Sequence, residues 1–242
     1  MGLFDKKYCD VCGERIGLLG NRKLEDGNLC KDCARKLSPW FSERRNSSVN
    51  EIKRQLEYRE ENRGRVEAFH ITRTLGSGTK LLLDEDAGLF MVTSAKNIAE
   101  ANPDVLALSD VTGCTLDVEE SSKELLHEDK DGNEVSYNPP RYEYSYDFYI
   151  IVNVNNPYFN EMRFRINPNS VEISPPPSIR PGVTLRFNPE TNAEYKKYKQ
   201  LGEEIRQILV KVRDDAREKI EQAAAPLRGG FALPLRQCRP AH

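Results

Sequence analysis

Cys9-x-x-Cys12 and Cys30-x-x-Cys33 stand near the N-terminus as two matched pairs, with seventeen residues between them. A segment this short cannot bury a core of its own, so what closes it must be the sulfurs. The spacing is that of a tetrahedral metal site, each pair offering two thiolates from one side of a tight turn. Gly13 follows Cys12 and Gly27-Asn28 precedes Cys30, where the backbone has to turn. Four sulfurs fill the shell of a zinc ion and leave no position for water or substrate. A zinc ion held by Cys9, Cys12, Cys30 and Cys33 is therefore expected to be structural. A redox dithiol needs only one such pair, set beside a βαβ pattern that this sequence lacks.

No run of about eighteen apolar residues is present, so no membrane-spanning helix is expected. The start, Met1-Gly2-Leu3-Phe4-Asp5-Lys6-Lys7, has no signal-peptide core and does not meet the myristoylation pattern. With reduced, metal-binding cysteines this implies a cytosolic protein. The net charge of −2 hides a strong segregation. Residues 1–65 carry a net +4, residues 66–175 a net −11 and residues 176–242 a net +5. The acidic centre is expected to repel phosphate backbones and anionic lipid headgroups.

The organisation reads as α+β. Residues 1–37 form the zinc module and residues 38–65 a linker helix that starts after Ser38-Pro39. Ser48-x-x-Glu51 is a capping box, and the helix should run to about Asn62 and end near Gly64, with Val49, Ile52 and Leu56 as a narrow apolar stripe. Residues 66–175 read as an antiparallel β-domain, a barrel or a sandwich. Within it, residues 79–83 and 89–93 make a hairpin, residues 110–118 a strand, and Asp131-Gly132 the turn of a second hairpin over 125–137. Residues 142–154 alternate strictly, placing Tyr142, Tyr144, Tyr146, Phe148, Ile150, Val152 and Val154 on one buried face. Short strands follow at 162–166 and 170–173. Residues 176–226 hold a proline-rich spacer and a long helix opened by Asn188-Pro189 and stopped by Pro226; residues 227–242 read as a flexible tail. That helix either packs on the β-domain or forms a coiled-coil seam to a second copy.

The segments Tyr8-Cys9-Asp10-Val11-Cys12-Gly13, Leu29-Cys30-Lys31-Asp32-Cys33-Ala34 and Lys36-Leu37-Ser38-Pro39-Trp40-Phe41 resemble an uncharacterised bacterial family. Its N-terminal domain of unknown function is regarded as a zinc finger, and the similarity extends through residues 72–76 and 139–149 to 170–173. The resemblance implies a four-cysteine zinc site at Cys9, Cys12, Cys30 and Cys33 and brings no established activity. Antiparallel strands followed by a C-terminal helix also resemble a pleckstrin-homology-type domain, in which a bent sheet partly closes and a helix plugs one end. Lipid binding is not carried over, because the central segment lacks a basic cluster.

Other candidates read as structural. Gly76-Ser77-Gly78 lacks the third glycine and lysine of a phosphate loop and reads as a turn. Asp84-Glu85-Asp86 lacks the spaced ligands of a calcium loop and reads as a solvated hairpin tip. Cys114 reads as a buried small hydrophobe, and His70 and His127 as surface residues. Trp40-Phe41 either anchors a partner or, the preferred reading, glues the zinc module to the linker helix. No convergent catalytic set emerges. The chain is expected to be a non-enzymatic cytosolic adaptor that binds protein through the zinc module, an open sheet edge or the last helix. The alternative is a zinc-ribbon nucleic-acid-binding protein using Arg22-Lys23, Arg35-Lys36 and Arg44-Arg45.

Overall fold

The computed structural model describes residues 6–174 and 188–224. Four two-residue strands open the chain: β1 (Lys7–Tyr8) pairs with β2 (Arg15–Ile16), and β3 (Arg22–Lys23) with β4 (Asn28–Leu29). The short helix α1 (Lys31–Arg35) follows, then a 3-10 turn at Glu43–Asn46. Next comes α2 (Val49–Ala68), which starts on the expected capping box: the Ser48 hydroxyl accepts from the Glu51 amide, and the Glu51 carboxylate accepts from the Ser48 amide at 2.7 Å. Ile16, Leu24, Leu29, Leu37 and Ile52 close a small core around the cysteines. The N-terminal module thus draws an apolar contact from the first turn of α2.

α2 does not end near Gly64 but runs to Ala68. An exposed helical glycine costs about 1 kcal/mol, and burial of Asn62 and Val66 on either side offsets it. The buried face of α2 is Ile52, Gln55, Arg59, Asn62 and Val66, a helical three-and-four spacing whose middle is polar. That is why the apolar stripe read from sequence stops at Leu56.

A first antiparallel sheet runs in chain order: β5 (Arg73–Leu75), β6 (Lys80–Asp84), β7 (Leu89–Thr93) and β8 (Leu106–Ala107), with α3 (Ile98–Ala101) before the last. The β6–β7 hairpin stands where expected. Period-two alternation gives this sheet two covered faces. Leu82 and Met91 meet Val66 of α2, while Leu81, Leu83, Phe90 and Val92 enter the main core.

The second sheet is built on β10 (Glu134–Val154). Along one edge lies β9 (Val111–Glu128); along the other, β11 (Glu161–Arg165) and β12 (Val171–Ile173) sit end to end. Asn167 bridges their gap, accepting from the Phe148 amide at 2.8 Å and donating to the Tyr146 carbonyl. Among the described residues the two sheets share no strand pairing, so the barrel, one of the two expected forms, does not close. A 3-10 turn at Leu108–Asp110 carries the chain from one sheet to the other, and side chains alone join them in the main core.

The strand expected at 110–118, the hairpin at 125–137 and the strand at 142–154 are one hairpin, β9–β10. Its middle was illegible because the run Glu119-Glu120-Ser121-Ser122-Lys123 is exposed and carries no core signal. Tyr146, Phe148, Ile150, Val152 and Val154 are buried as expected, whereas Tyr144 is half-buried and Tyr142 is 40% exposed. The ribbon outruns the core beneath it, so alternation continues past the point where burial stops. On the outer face, the Arg163 guanidinium lies 3.5 Å over the Tyr149 ring and pairs with Asp117 and Glu119.

Asn188 caps only a 3-10 turn at Pro189–Thr191. The long helix α4 (Ala193–Ala224) starts later, with the Asn192 side chain accepting from the amides of Glu194 and Tyr195. Tyr195, Tyr198, Ile205, Leu209 and Val212 pack into the main core; Tyr195 meets Tyr146 edge-on at 5.0 Å. Gly202 lies so close to Leu116 that an added Cβ would stand 2.5 Å from its Cδ1. Arg217 donates to the carbonyls of Ser109 and Val111, tying the far part of α4 to the sheet crossover. The proline spacer over 175–187, Pro226 and the tail lie outside the described residues.

Where the N-terminal module meets the first sheet, Arg59 and Asp104 form a buried ion pair at 2.7 Å, their side chains 8% and 0% exposed. Arg59 also donates to the carbonyls of Lys36 and Asn102, and the Ser38 hydroxyl donates to the other Asp104 oxygen at 2.8 Å. Asn62 donates to the Pro103 carbonyl and accepts from the Val105 amide. Asn102, at φ 48, returns its side-chain amide to the Arg59 carbonyl. Arg59→Met would leave the Asp104 carboxylate buried without its cation, costing about 3–5 kcal/mol in urea denaturation at neutral pH. Burial already pushes the Asp104 carboxyl above its ordinary range, against the pull of Arg59 and Ser38. Without Arg59 the folded pKa rises further, and a raised folded pKa gives stability below the unfolded pKa that is lost as pH rises. The deficit of Arg59→Met relative to the native chain should therefore shrink on acidification. A deficit independent of pH would show that Asp104 is not its source.

Candidate metal centre

Cys9 and Cys12 sit on a turn closed by the Cys9 amide on the Glu14 carbonyl (2.9 Å) and the Gly13 amide on the Cys9 carbonyl (2.8 Å). Gly13 holds φ +77, which lets the chain reverse directly after Cys12. The second pair opens α1: Cys30 is the N-cap, its sulfur accepting from the Cys33 amide at 3.3 Å. The Cys30 amide donates to the Cys9 sulfur at 3.3 Å, so the two turns are joined through a ligand-type sulfur. They are stapled again beside it, where Asp10 and Asn28 exchange bonds: amide to carbonyl at 2.9 Å and Asn28 amide to Asp10 carboxylate at 2.6 Å. Gly27 is required by close approach, because a Cβ there would meet Val49 Cγ2 at 2.5 Å and Asp10 Oδ2 at 2.8 Å. The Asp26 carboxylate accepts from the Val49 amide at 2.7 Å, fixing this loop on the first turn of α2.

All four sulfurs lie within 4.8 Å of one another, and those of Cys12 and Cys30 are 3.7 Å apart. A tetrahedral thiolate centre with metal–sulfur bonds of about 2.3 Å has edges of about 3.8 Å. The cluster can therefore hold a metal ion. Cys9, Cys30 and Cys33 are buried and Cys12 is exposed. Burial pushes the Cys33 thiol well up, and the crowding of Cys30, Cys12 and Cys9 adds to it. Burial works the same way on Cys9, but backbone amides of Cys12, Cys30 and Val11 outweigh it and bring that thiol down to about 7. Four thiolates cannot share this space without a cation among them, and a divalent ion supplies what the crowding lacks.

The remaining candidates stay apart from this cluster. Cys114 is buried and its thiol is pushed up to about 11 by burial, the profile of an inert packing residue. His70 is exposed with Asp86 4.0 Å away, and His127 is exposed against the Tyr137 ring. Gly76 holds φ +89 in the β5–β6 turn. Asp84, expected in a solvated tip, is 3% exposed and accepts from the amides of His70 and Ala87, holding the hairpin in place. Trp40 packs on the main core and Phe41 on the small one, with Phe41 edge-on to Tyr158 at 6.4 Å. They bridge the two cores. The polar joint of Arg59, Asn62 and Asp104 was missed in the sequence: residues 55, 59 and 62 continue the helical spacing begun at Ile52, but polar side chains at that spacing read equally well as a solvated face.

A small thiolate cluster resting on one helix defines the class of the N-terminal unit. Residues 7–55 match the model of a family described as a domain of unknown function (DUF4428). The match ends in the second turn of α2, just past Ile52, whose side chain completes the small core. No curated protein and no solved structure matches the chain.

Cys33→Ser should abolish metal retention, read as loss of the single bound ion in native mass spectrometry. Chelating the ion from a metal-loaded chain tests the joint. Because Ser38 and the Lys36 carbonyl are bonded into the Asp104–Arg59 network, removal should lower the midpoint of one common transition, seen by Trp40 fluorescence and by circular dichroism. If the β-sheet signal melted at an unchanged midpoint, the N-terminal module would be an independent unit.

Proposed function

We propose that this chain is a non-enzymatic cytosolic adaptor. A structural zinc ion on Cys9, Cys12, Cys30 and Cys33 holds its N-terminal module, and the β9–β10 arm binds an extended segment of a partner protein. Zinc suits four sulfur donors with a closed shell, and binding of about 10 kcal/mol or more is enough to fold a module of this size. Two sheets on a shared core with α4 laid across β9 and β10 also support a pleckstrin-homology-like reading of the central region, without closure into a barrel.

The observation that carries the proposal is the arm itself. Residues 123–143 pair only with one another among the described strands, and Leu126 and Tyr142, which the register places on one face, are 45% and 40% exposed. A lone two-stranded ribbon is marginal in water. Its outer edges offer unpaired amides and carbonyls to another strand. Glu124, Glu128, Asp129, Asp131, Glu134 and Glu143 outnumber Lys123, Lys130 and Arg141 along it, so a basic segment suits it best. Self-association through α4 has less to build on, since Ile220 is the one strongly exposed large apolar side chain on that helix among the described residues.

Shortening the arm by joining residues 125 and 137 through a two-residue turn should leave metal content and melting temperature unchanged. It should abolish capture of the proteins that the native chain retains in a pull-down. Retention of the same proteins by the shortened chain, or turnover in an activity screen by the native one, would overturn the reading.

A further inference from the structure

Leu18 and Leu19 are 92% and 88% exposed, the two most exposed large apolar side chains among the described residues. Single exposed leucines are ordinary, but these two are adjacent and are held outward by the backbone. The Gly20 amide donates to the Gly17 carbonyl at 3.0 Å, so Leu18 and Leu19 form the corner of a closed turn. The strands on either side of that turn carry cations: Arg15 on β2, and Arg22 and Lys23 on β3. Arg22 donates to the Leu19 carbonyl, placing its guanidinium at the base of the turn.

The fold then adds a second basic pair from further along the chain. Arg44, in the 3-10 turn before α2, donates to the Lys23 carbonyl at 3.3 Å, with Arg45 beside it. Burial and the nearby charges of Arg22 and Arg45 together lower the Arg44 pKa, which marks how closely these cations are gathered. None of Arg15, Arg22, Lys23, Arg44 and Arg45 forms an ion pair among the described residues. Of the three basic pairs in the N-terminal segment, two are brought together here, while Arg35 is paired with Asp32.

An aliphatic tip ringed by unpaired cations matches a surface that is anionic outside and apolar beneath. Nucleic acid supplies the phosphates but is contacted mainly by planar or hydrogen-bonding side chains, and aliphatic wedges enter it only at the cost of unstacking a base step. A bilayer accepts aliphatic side chains just below the level at which cations meet the headgroups. We propose that the Leu18-Leu19 turn docks on an anionic lipid surface, with Arg15, Arg22, Lys23, Arg44 and Arg45 contacting the headgroups. The acidic balance of the central segment is drawn off in part, because many of those carboxylates lie along β9–β10, where Asp117, Glu119 and Asp147 pair with Arg163 and Arg165 of β11. This surface is separate from the β9–β10 arm and does not depend on the adaptor reading.

The test is cosedimentation of the metal-loaded full chain with phosphatidylcholine vesicles, with and without one-third phosphatidylserine. Binding should require phosphatidylserine and weaken with salt. Leu18→Ser/Leu19→Ser should lower it roughly tenfold or more. Arg15→Gln/Arg45→Gln, both exposed, should lower it roughly 25-fold, at about fivefold for each cation near the surface. Both variants should keep the native metal content and melting temperature, and the chain with the shortened arm should bind vesicles as the native chain does. Three results would overturn the proposal: no phosphatidylserine-dependent binding, binding unchanged by the leucine substitutions, or retention of a duplex oligonucleotide instead of vesicles. Self-association abolished by the leucine substitutions, without vesicle binding, would assign the tip to a second copy and overturn it equally.

Discussion

The Arg59–Asp104 ion pair is the contact on which the arrangement of this molecule turns. It lies where three parts of the chain meet: the segment after the cysteines, α2 and the loop leading to β8. A buried pair is rarely a net source of stability, since desolvating both charges costs about as much as their attraction returns. What it contributes here is exclusivity. The guanidinium satisfies two carbonyls besides the carboxylate, and Ser38 takes the remaining oxygen. Any other placement of the N-terminal module on the sheet would leave several of these groups buried and unpaired, a penalty of about 1–3 kcal/mol for each neutral group and more for the charges.

Two kinds of cohesion divide the N-terminal region between them. The cysteine cluster closes a loop too small to hold itself, with hydrogen bonds from Cys30 and Cys33 amides to neighbouring sulfurs setting the geometry. The apolar contacts around it are few, and Ile52 supplies one from outside the loop. The same helix that supplies Ile52 carries Arg59 and Val66 to the first sheet. α2 therefore serves as the beam between the cysteine cluster and the β-domain, and the end of the matched family segment inside it has a physical reason.

The clustering of Cys9, Cys12, Cys30 and Cys33 was legible in the sequence because it is set by spacing over a few residues. Two short pairs and a loop long enough to return are all it needs. The β6–β7 hairpin and the capping box of α2 were legible for the same reason: each is decided by turn or cap chemistry within about five residues. The β9–β10 arm was not. Its root shows clean alternation, but its exposed stretch has no apolar period, and residues 137–140 of β10 interrupt the register against Leu125 and Leu126. Alternation at Tyr142 looked like burial, yet whether a tyrosine is covered depends on how far the neighbouring elements reach.

The sequence by itself determined the cysteine cluster, the capping box of α2, the β6–β7 hairpin and the buried face of the second half of β10. All of these follow from local spacing and from the period of the secondary structure. Only the tertiary structure decided that the sheets meet through side chains without closing, and that α4 lies on β9 and β10. It alone gathered Arg22 and Lys23 beside Arg44 and Arg45, and it alone made Arg59, Asn62 and Asp104 an interior joint. Polar residues carry no burial period of their own. Whether a charged side chain faces water or a partner is settled by what another part of the chain places opposite it, and that is a property of the packed molecule.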